Sequence, residues 1–205
     1  MDAIQRFEGG FLLTNAYLLS TPGGGQVLID APADTKKWLD ENEVTPLALL
    51  LTHQHFDHVM DAAAIAAMGI PVYSWSGYSK ELTAEEIVAQ WGMPMTVEPY
   101  AVDHELAGKE TLEIDGLKLD LAHVPGHSPD SVTFHDRERE ILVSGDTLFN
   151  GSTGRGDLPG GDLELLCRGI VEKIYPLPGE TRVYPGHGPQ TTIEAERVGN
   201  AVVRA

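Results

Sequence analysis

The segment Thr52-His53-Gln54-His55-Phe56-Asp57-His58 follows the apolar run Leu47 to Leu51 and carries three imidazoles and a carboxylate. Alternate residues of an extended segment share a face, so His53 and His55 project together while Asp57 and His58 turn aside where the strand gives way to a loop. One short segment can therefore serve two metal ions. Neutral imidazole and carboxylate suit borderline divalent cations, zinc first, with iron and manganese as competitors. Three later segments offer further ligands: Pro125-Gly126-His127-Ser128, Ser144-Gly145-Asp146-Thr147-Leu148-Phe149 and Tyr184-Pro185-Gly186-His187-Gly188. Each is an apolar or β-rich run that breaks at a glycine and presents a His or Asp in the loop. Gly126, Gly145 and Gly186 let the backbone turn beside a crowded centre, where a Cβ would clash.

The elements that must carry these loops are short. Strand-like runs occupy Ala16 to Leu19, Gln26 to Ile29, Leu47 to Leu51, Pro71 to Tyr73, Thr111 to Ile114, Leu117 to Ala122, Ser131 to Phe134, Ile141 to Ser144 and Thr181 to Tyr184. Helical patterns fill Thr35 to Glu43, Ala62 to Met68, Thr83 to Trp91, Leu163 to Ile174 and Ile193 to Val198. The Asp115-Gly116 pair marks a tight hairpin turn. The least regular stretch, Ser74 to Glu105, holds Trp75, Tyr78, Trp91, Met93, Met95 and Tyr100. Its side chains either pack the excursion onto the body of the protein or form a lid or acyl-binding wall.

From about Phe11 to about Glu196 these motifs resemble the metallo-β-lactamase superfamily, and within it the type II glyoxalases (hydroxyacylglutathione hydrolases) and their single-domain relatives. The resemblance implies an α/β fold, the four-layer αβ/βα sandwich, with residues 1–205 as a single hydrolase domain and the site at one rim between two sheets. It implies that His53, His55 and His127 bind a first metal, that Asp57, His58 and His187 bind a second, and that Asp146 bridges them. Asp57 and Asp146 would then also position a bridging hydroxide. The stretch from Gly145 through Gly154 to Asp162 looks like the hydrolase branch. Zinc β-lactamases of the commonest type place a Cys where Asp146 sits, whereas the one cysteine, Cys167, lies in a helical pattern, so antibiotic hydrolysis is disfavoured. Flavo-diiron oxygen reductases carry a Glu at the position of His55 and are disfavoured too.

The chain departs from the family pattern at Val59-Met60-Asp61 and Asp130, where Gly is common, and at Gly156, where Thr is common. It also lacks the basic C-terminal helical domain of full-length type II glyoxalases, so glutathione specificity is not carried over. Arg155 is a candidate to bind a substrate carboxylate, weighed against a surface ion pair. Thr52 and Ser144 adjoin ligands and are candidates to hydrogen-bond them. His104, His123 and His135 have no motif partner and are assigned no ligand role.

Two metals sharing a water lower its pKa from 15.7 to about 7, so the nucleophile comes from solvent and no Ser or Cys nucleophile is needed. A thiol has a pKa of about 8.5 and leaves as thiolate without a proton donor, unlike an amide nitrogen. The expected activity is thioester hydrolysis, and S-lactoylglutathione is the substrate the family implies. The alternatives are a mononuclear-iron enzyme like the persulfide dioxygenases, a hydrolase of another ester or lactone class, and a metal-binding scaffold without catalysis. With 14 Lys and Arg against 31 Asp and Glu, a formal charge of −17 disfavours nucleic acid and anionic membrane as partners and leaves a small-molecule thioester. One cysteine and a start, Met1 to Glu8, without a cationic end or apolar core predict a cytoplasmic protein. Oligomeric state is not encoded in any of these features.

Overall fold

The computed structural model describes residues 3–90, 92 and 95–204; Trp91 and Met93 of the irregular stretch, and the first two residues, lie outside them. Three strands open the chain as an antiparallel meander, β1 (Ile4–Gly9), β2 (Thr14–Ser20) and β3 (Gln26–Ile29). After helix α1 (Thr35–Glu41), β4 (Ala48–Leu50) adds parallel to β3. The short helices α2 (Phe56–Val59) and α3 (Ala62–Ala66) lead to β5 (Val72–Ser74), and α4 (Glu85–Gln90) precedes β6 (His104–Glu105). These strands form one sheet in the order β1-β2-β3-β4-β5-β6. The second sheet begins with β7 (Thr111–Ile114), β8 (Leu117–His123), β9 (Val132–Asp136) and β10 (Ile141–Gly145). A small hairpin, β11 (Leu148–Phe149) and β12 (Ser152–Thr153), and helix α5 (Leu163–Gly169) follow. A π-helical turn over Ile170–Ile174 continues α5 before β13 (Arg182–Pro185), β14 (Thr191–Thr192) and α6 (Ile193–Gly199). The order of this sheet is β14-β13-β10-β9-β8-β7.

Period-two alternation explains the layers. Along β2, β3 and β4, Leu18, Leu28 and Leu49 pack outward against Leu39 of α1, Val59 of α2 and Ile65 of α3. Their neighbours Tyr17, Leu19, Val27, Ile29 and Leu50 face the other way, onto Leu119, Phe134 and Val143 of the second sheet. That sheet turns Leu142 and Val183 toward Leu166, Ile170 and Ile193 of the second helical layer. The result is the αβ/βα sandwich expected from the resemblance. Leu50 is fully buried between the sheets three residues before the His cluster begins. Leu50→Ala is expected to cost about 2–5 kcal/mol, read as a lower denaturation midpoint.

The hairpin read at Asp115-Gly116 joins β7 to β8, with φ of 50° and 80° at its two central residues. Helix α1 stops before the expected Glu43, which takes a φ of 55°. The segment read as a loop around Asp57 and His58 instead contains α2, a single turn. Among the described residues no helix is long and apolar enough to cross a membrane.

Candidate metal centre

The strand ends of both sheets meet at one rim. His53 and His55 leave the end of β4, and Asp57 and His58 sit in the turn of α2. His127 follows β8, Asp146 follows β10 and His187 follows β13. All seven residues named from the sequence are brought together: the ligand atoms of His53, His55 and His127 lie within 4.8 Å of one another, as do those of His53, His58 and Asp146, and those of Asp57, His58 and His187. Asp146 stands between the two outer groups. Its Oδ1 is 3.2 Å from His58 Nε2, and its Oδ2 is 3.3 Å from His127 Nε2 and 3.5 Å from His187 Nε2.

The backbone reaches this density only through glycine. A Cβ on Gly186 would collide with Asp146 Oδ1 and come to 2.7 Å from His58 Cε1. Gly145 takes a φ of 50° where the register of β10 against β13 shifts, and a Cβ there would stand 2.6 Å from that of Thr52. Gly186→Ala should therefore push Asp146 and His58 apart and weaken metal binding by about 10- to 100-fold, measured by competition with a chromogenic chelator.

Each orienting contact leaves a ligand atom aimed inward. His58 Nδ1 bonds to Asp30 Oδ2 at 2.8 Å, His53 Nδ1 to Thr52 Oγ1 at 3.1 Å, His127 Nδ1 to the Arg155 carbonyl at 2.8 Å and His187 Nδ1 to the Leu12 carbonyl at 3.2 Å. Thr14 Oγ1 donates to Asp57 Oδ2 at 2.8 Å. By contrast His53 Nε2, His58 Nε2, His127 Nε2 and Asp146 Oδ1 are buried without a hydrogen-bond partner. Unpartnered buried atoms are costly in a finished fold, and four of them converging on one space suit a bound cation.

Thr52 supports the centre as the sequence suggested, but Ser144 does not, since its hydroxyl donates to the Leu148 carbonyl at 2.9 Å. Asp30 was missed. It follows β3 in a left-handed conformation, φ 62°, and accepts from Thr52 N and Thr52 Oγ1 as well as facing His58. A strand ending in an acid, Val27-Leu28-Ile29-Asp30, is the same signal that marked Asp146. Asn15 was missed too: its amide donates to the carbonyls of Pro185 at 2.9 Å and Gly188 at 3.0 Å, and its backbone N–H to Gly186, gripping the His187 loop. Arg155 forms a two-pronged pair with Asp157, at 2.5 and 2.7 Å. His123 stacks on Trp75, His104 rests against Tyr73, and His135 lies 3.7 Å from Asp120, all outside the cluster.

Electrostatics divide the ligands. Burial, reinforced by neighbouring imidazoles, holds His53 well below the usual histidine range and His55 at about 3, so both are neutral. Burial also disfavours charge on His58 and His187, but Asp57 and Asp146 outweigh it, raising His58 well above its usual value and His187 to about 10. Against the same burial, His58 and His187 draw Asp57 down to about 2 and Asp146 well below the carboxylate range. In the metal-free protein the raised pair contributes stability that is complete below about pH 6.5 and lost as the pH rises toward 10. His53 and His55 act oppositely, their contribution lost as the pH falls from about 6.5 through 3. Metal binding must displace the protons on His58 and His187. Loading at pH 7 should release up to about two protons, measured by calorimetry in buffers of different ionisation enthalpy.

A cleft of about 410 Å³ opens over the cluster, floored by His55, Asp57, His127, Asp146 and His187. Part of the irregular excursion lines it, through Ala84, Ile87 and Val88, while its Tyr78 packs edge-on to Tyr100.

The metallo-β-lactamase superfamily model matches residues 9–187. A probable metallo-hydrolase of Bacillus subtilis, YqgX, is 36% identical over 96% of this chain and 95% of its own. The hydroxyacylglutathione hydrolase GloC of Haemophilus influenzae is 31% identical over 91% of this chain and 86% of its own. Among solved structures, the BLEG-1 B3 metallo-β-lactamase superposes with a TM-score of 0.88 at 37% identity, covering 98% of this chain and 100% of that one. TTHA1623, in a di-iron-bound form, gives 0.83 at 38% identity, covering 96% and 98%.

Proposed function

The chain belongs to the metallo-β-lactamase superfamily, and from that premise we propose that it is a binuclear metal-dependent thioesterase of the hydroxyacylglutathione hydrolase type. The carrying observation is the convergence of four buried ligand atoms that make no hydrogen bond, on His53, His58, His127 and Asp146, in a centre where four of the five imidazoles are tied from behind. His53, His55 and His127 would hold one cation, Asp57, His58 and His187 the other, and Asp146 would reach both. Zinc is the cation proposed; the likeness to a di-iron protein makes iron the competitor that metal analysis must test.

Two such ions supply a water deprotonated near neutral pH and a Lewis acid for the substrate carbonyl. The protein does the rest by position. Hydrogen bonds to Nδ1 fix the rings of His53, His58, His127 and His187, and Thr14 holds the Asp57 carboxylate beside His187. Asp57 and Asp146 face the floor of the cleft and would orient the attacking water toward the carbonyl. A thiolate departs without a proton donor, which fits a site whose two His–Asp pairs are committed to the centre.

The likeness to a B3 metallo-β-lactamase favours a second reading, β-lactam hydrolysis, because the argument from Asp146 applies to the cysteine-bearing type. One experiment separates them. Metal-loaded protein is incubated with S-lactoylglutathione, with a simple acyl thioester and with a β-lactam, and free thiol and ring opening are followed. Thiol release from either thioester supports the proposal; ring opening alone replaces it.

A further inference from the structure

Resting on the thioesterase reading, we propose that the substrate is a thioester flanked by uncharged, apolar groups, and not one that presents carboxylates to the cleft as glutathione does. Above the metal-binding floor the walls are Leu12, Phe56, Ile87, Val88, Phe149 and Leu158. Among the described residues Arg155 is the one Lys or Arg in the lining, and its guanidinium already lies against the Asp157 carboxylate two residues away. That pairing is local and covalently tethered, so an incoming carboxylate would have to displace or share it. The surrounding charge is no help: a chain of formal charge −17 repels a polyanionic thiol carrier.

An independent feature points the same way. The loop between β1 and β2 exposes Phe11, Leu12 and Leu13 in succession, at 50%, 42% and 58%. Such a strip is unusual on a highly charged surface and marks a contact site. It is joined to the cleft: Leu12 lines the wall and its carbonyl holds His187, while Phe11 stacks on Phe56 with ring centroids 6.2 Å apart. An apolar chain leaving the scissile bond past Leu12 would reach this strip.

Calorimetry on the metal-loaded protein with non-hydrolysable thioethers reads recognition apart from turnover. S-hexyl-N-acetylcysteamine is expected to bind about tenfold more tightly than S-hexylglutathione, because carboxylates entering this cleft lose hydration without gaining a partner. Lengthening the S-alkyl chain from ethyl to hexyl should raise affinity about threefold to fourfold per buried methylene. Tighter binding of the glutathione conjugate, or indifference to chain length, overturns the proposal. Ile87→Ser and Leu12→Ser should each flatten the chain-length dependence; Leu12 lies on an exposed loop, so its variant keeps the test decisive if the helix variant fails to fold. Asp157→Asn removes the charge that neutralises Arg155 and should strengthen binding of the glutathione conjugate several-fold; no change would refute that pair's part in specificity. Apolar thioethers that bind while no thioester is cleaved would sink the thioesterase reading and leave the apolar preference standing. Cleavage with S-lactoylglutathione as the best substrate would do the reverse.

Discussion

Asp146→Ala is expected to lower thioester hydrolysis by about 10³-fold or more, since an active metal pair contributes several kcal/mol of transition-state stabilisation and each 1.36 kcal/mol is tenfold in rate. Asp146 is the one residue whose two oxygens face His58 on one side and His127 and His187 on the other. Without it His53, His58, His127 and His187 stay in place, held by their Nδ1 bonds, but the two halves of the centre lose their common carboxylate. The variant should fold, bind at most one equivalent of metal by elemental analysis, and release thiol at a rate close to that of metal-stripped protein. Retention of two equivalents and of rapid turnover would remove Asp146 from the centre and the binuclear reading with it.

The second large effect is expected at a residue that touches no substrate. Asp30 is buried, and its two oxygens accept from Thr52 N, Thr52 Oγ1 and His58 Nδ1. Asp30→Ala strands all three donors, at about 1–3 kcal/mol for each group left unsatisfied, and frees the His58 ring to rotate. Asp30→Asn keeps the volume and tolerates the left-handed backbone, yet it removes the charge that faces His58. We expect metal affinity to fall about 10- to 100-fold in both variants and the denaturation midpoint to fall mainly in Asp30→Ala. Equal loss of stability in the two, with metal affinity unchanged, would show Asp30 to be a packing residue only.

The different visibility of Asp146 and Asp30 in the sequence has a physical cause. The His53 to His58 cluster is readable because its chemistry is concentrated in adjacent residues, and Asp146, His127 and His187 because each follows a strand and a glycine. Asp30 acts through partners 22 and 28 residues away, and although it too ends an apolar strand, no glycine stands beside it to set it apart from a turn residue. Asn15 is further still, reaching across 170 residues to the Pro185 carbonyl. Most strands of the two sheets could be read because alternating or continuous apolar runs mark them, whereas β1, Ile4–Gly9, was missed because all its residues but Gly9 are half-buried or exposed. The turn of α2 and the pairs β6, β11, β12 and β14 are too short to carry a period and exist only because tertiary neighbours complete their hydrogen bonds. For Arg155 the sequence offers both a substrate contact and an ion pair, and it hides that the Asp157 side chain folds back on the guanidinium while Arg155 also lines the cleft.

The seven residues that would hold the metals are shared unequally between the two sheets, four beside the first and three beside the second, and each outer group of three draws from both. A chain still emerging from the ribosome, with only residues up to β6 available, therefore owns no complete cage, and the same holds for a half-unfolded molecule. Strong cation capture is deferred until the sheets have docked. Metallation would then act as a seal on correct assembly, because immature copies of this protein would compete weakly for the cation.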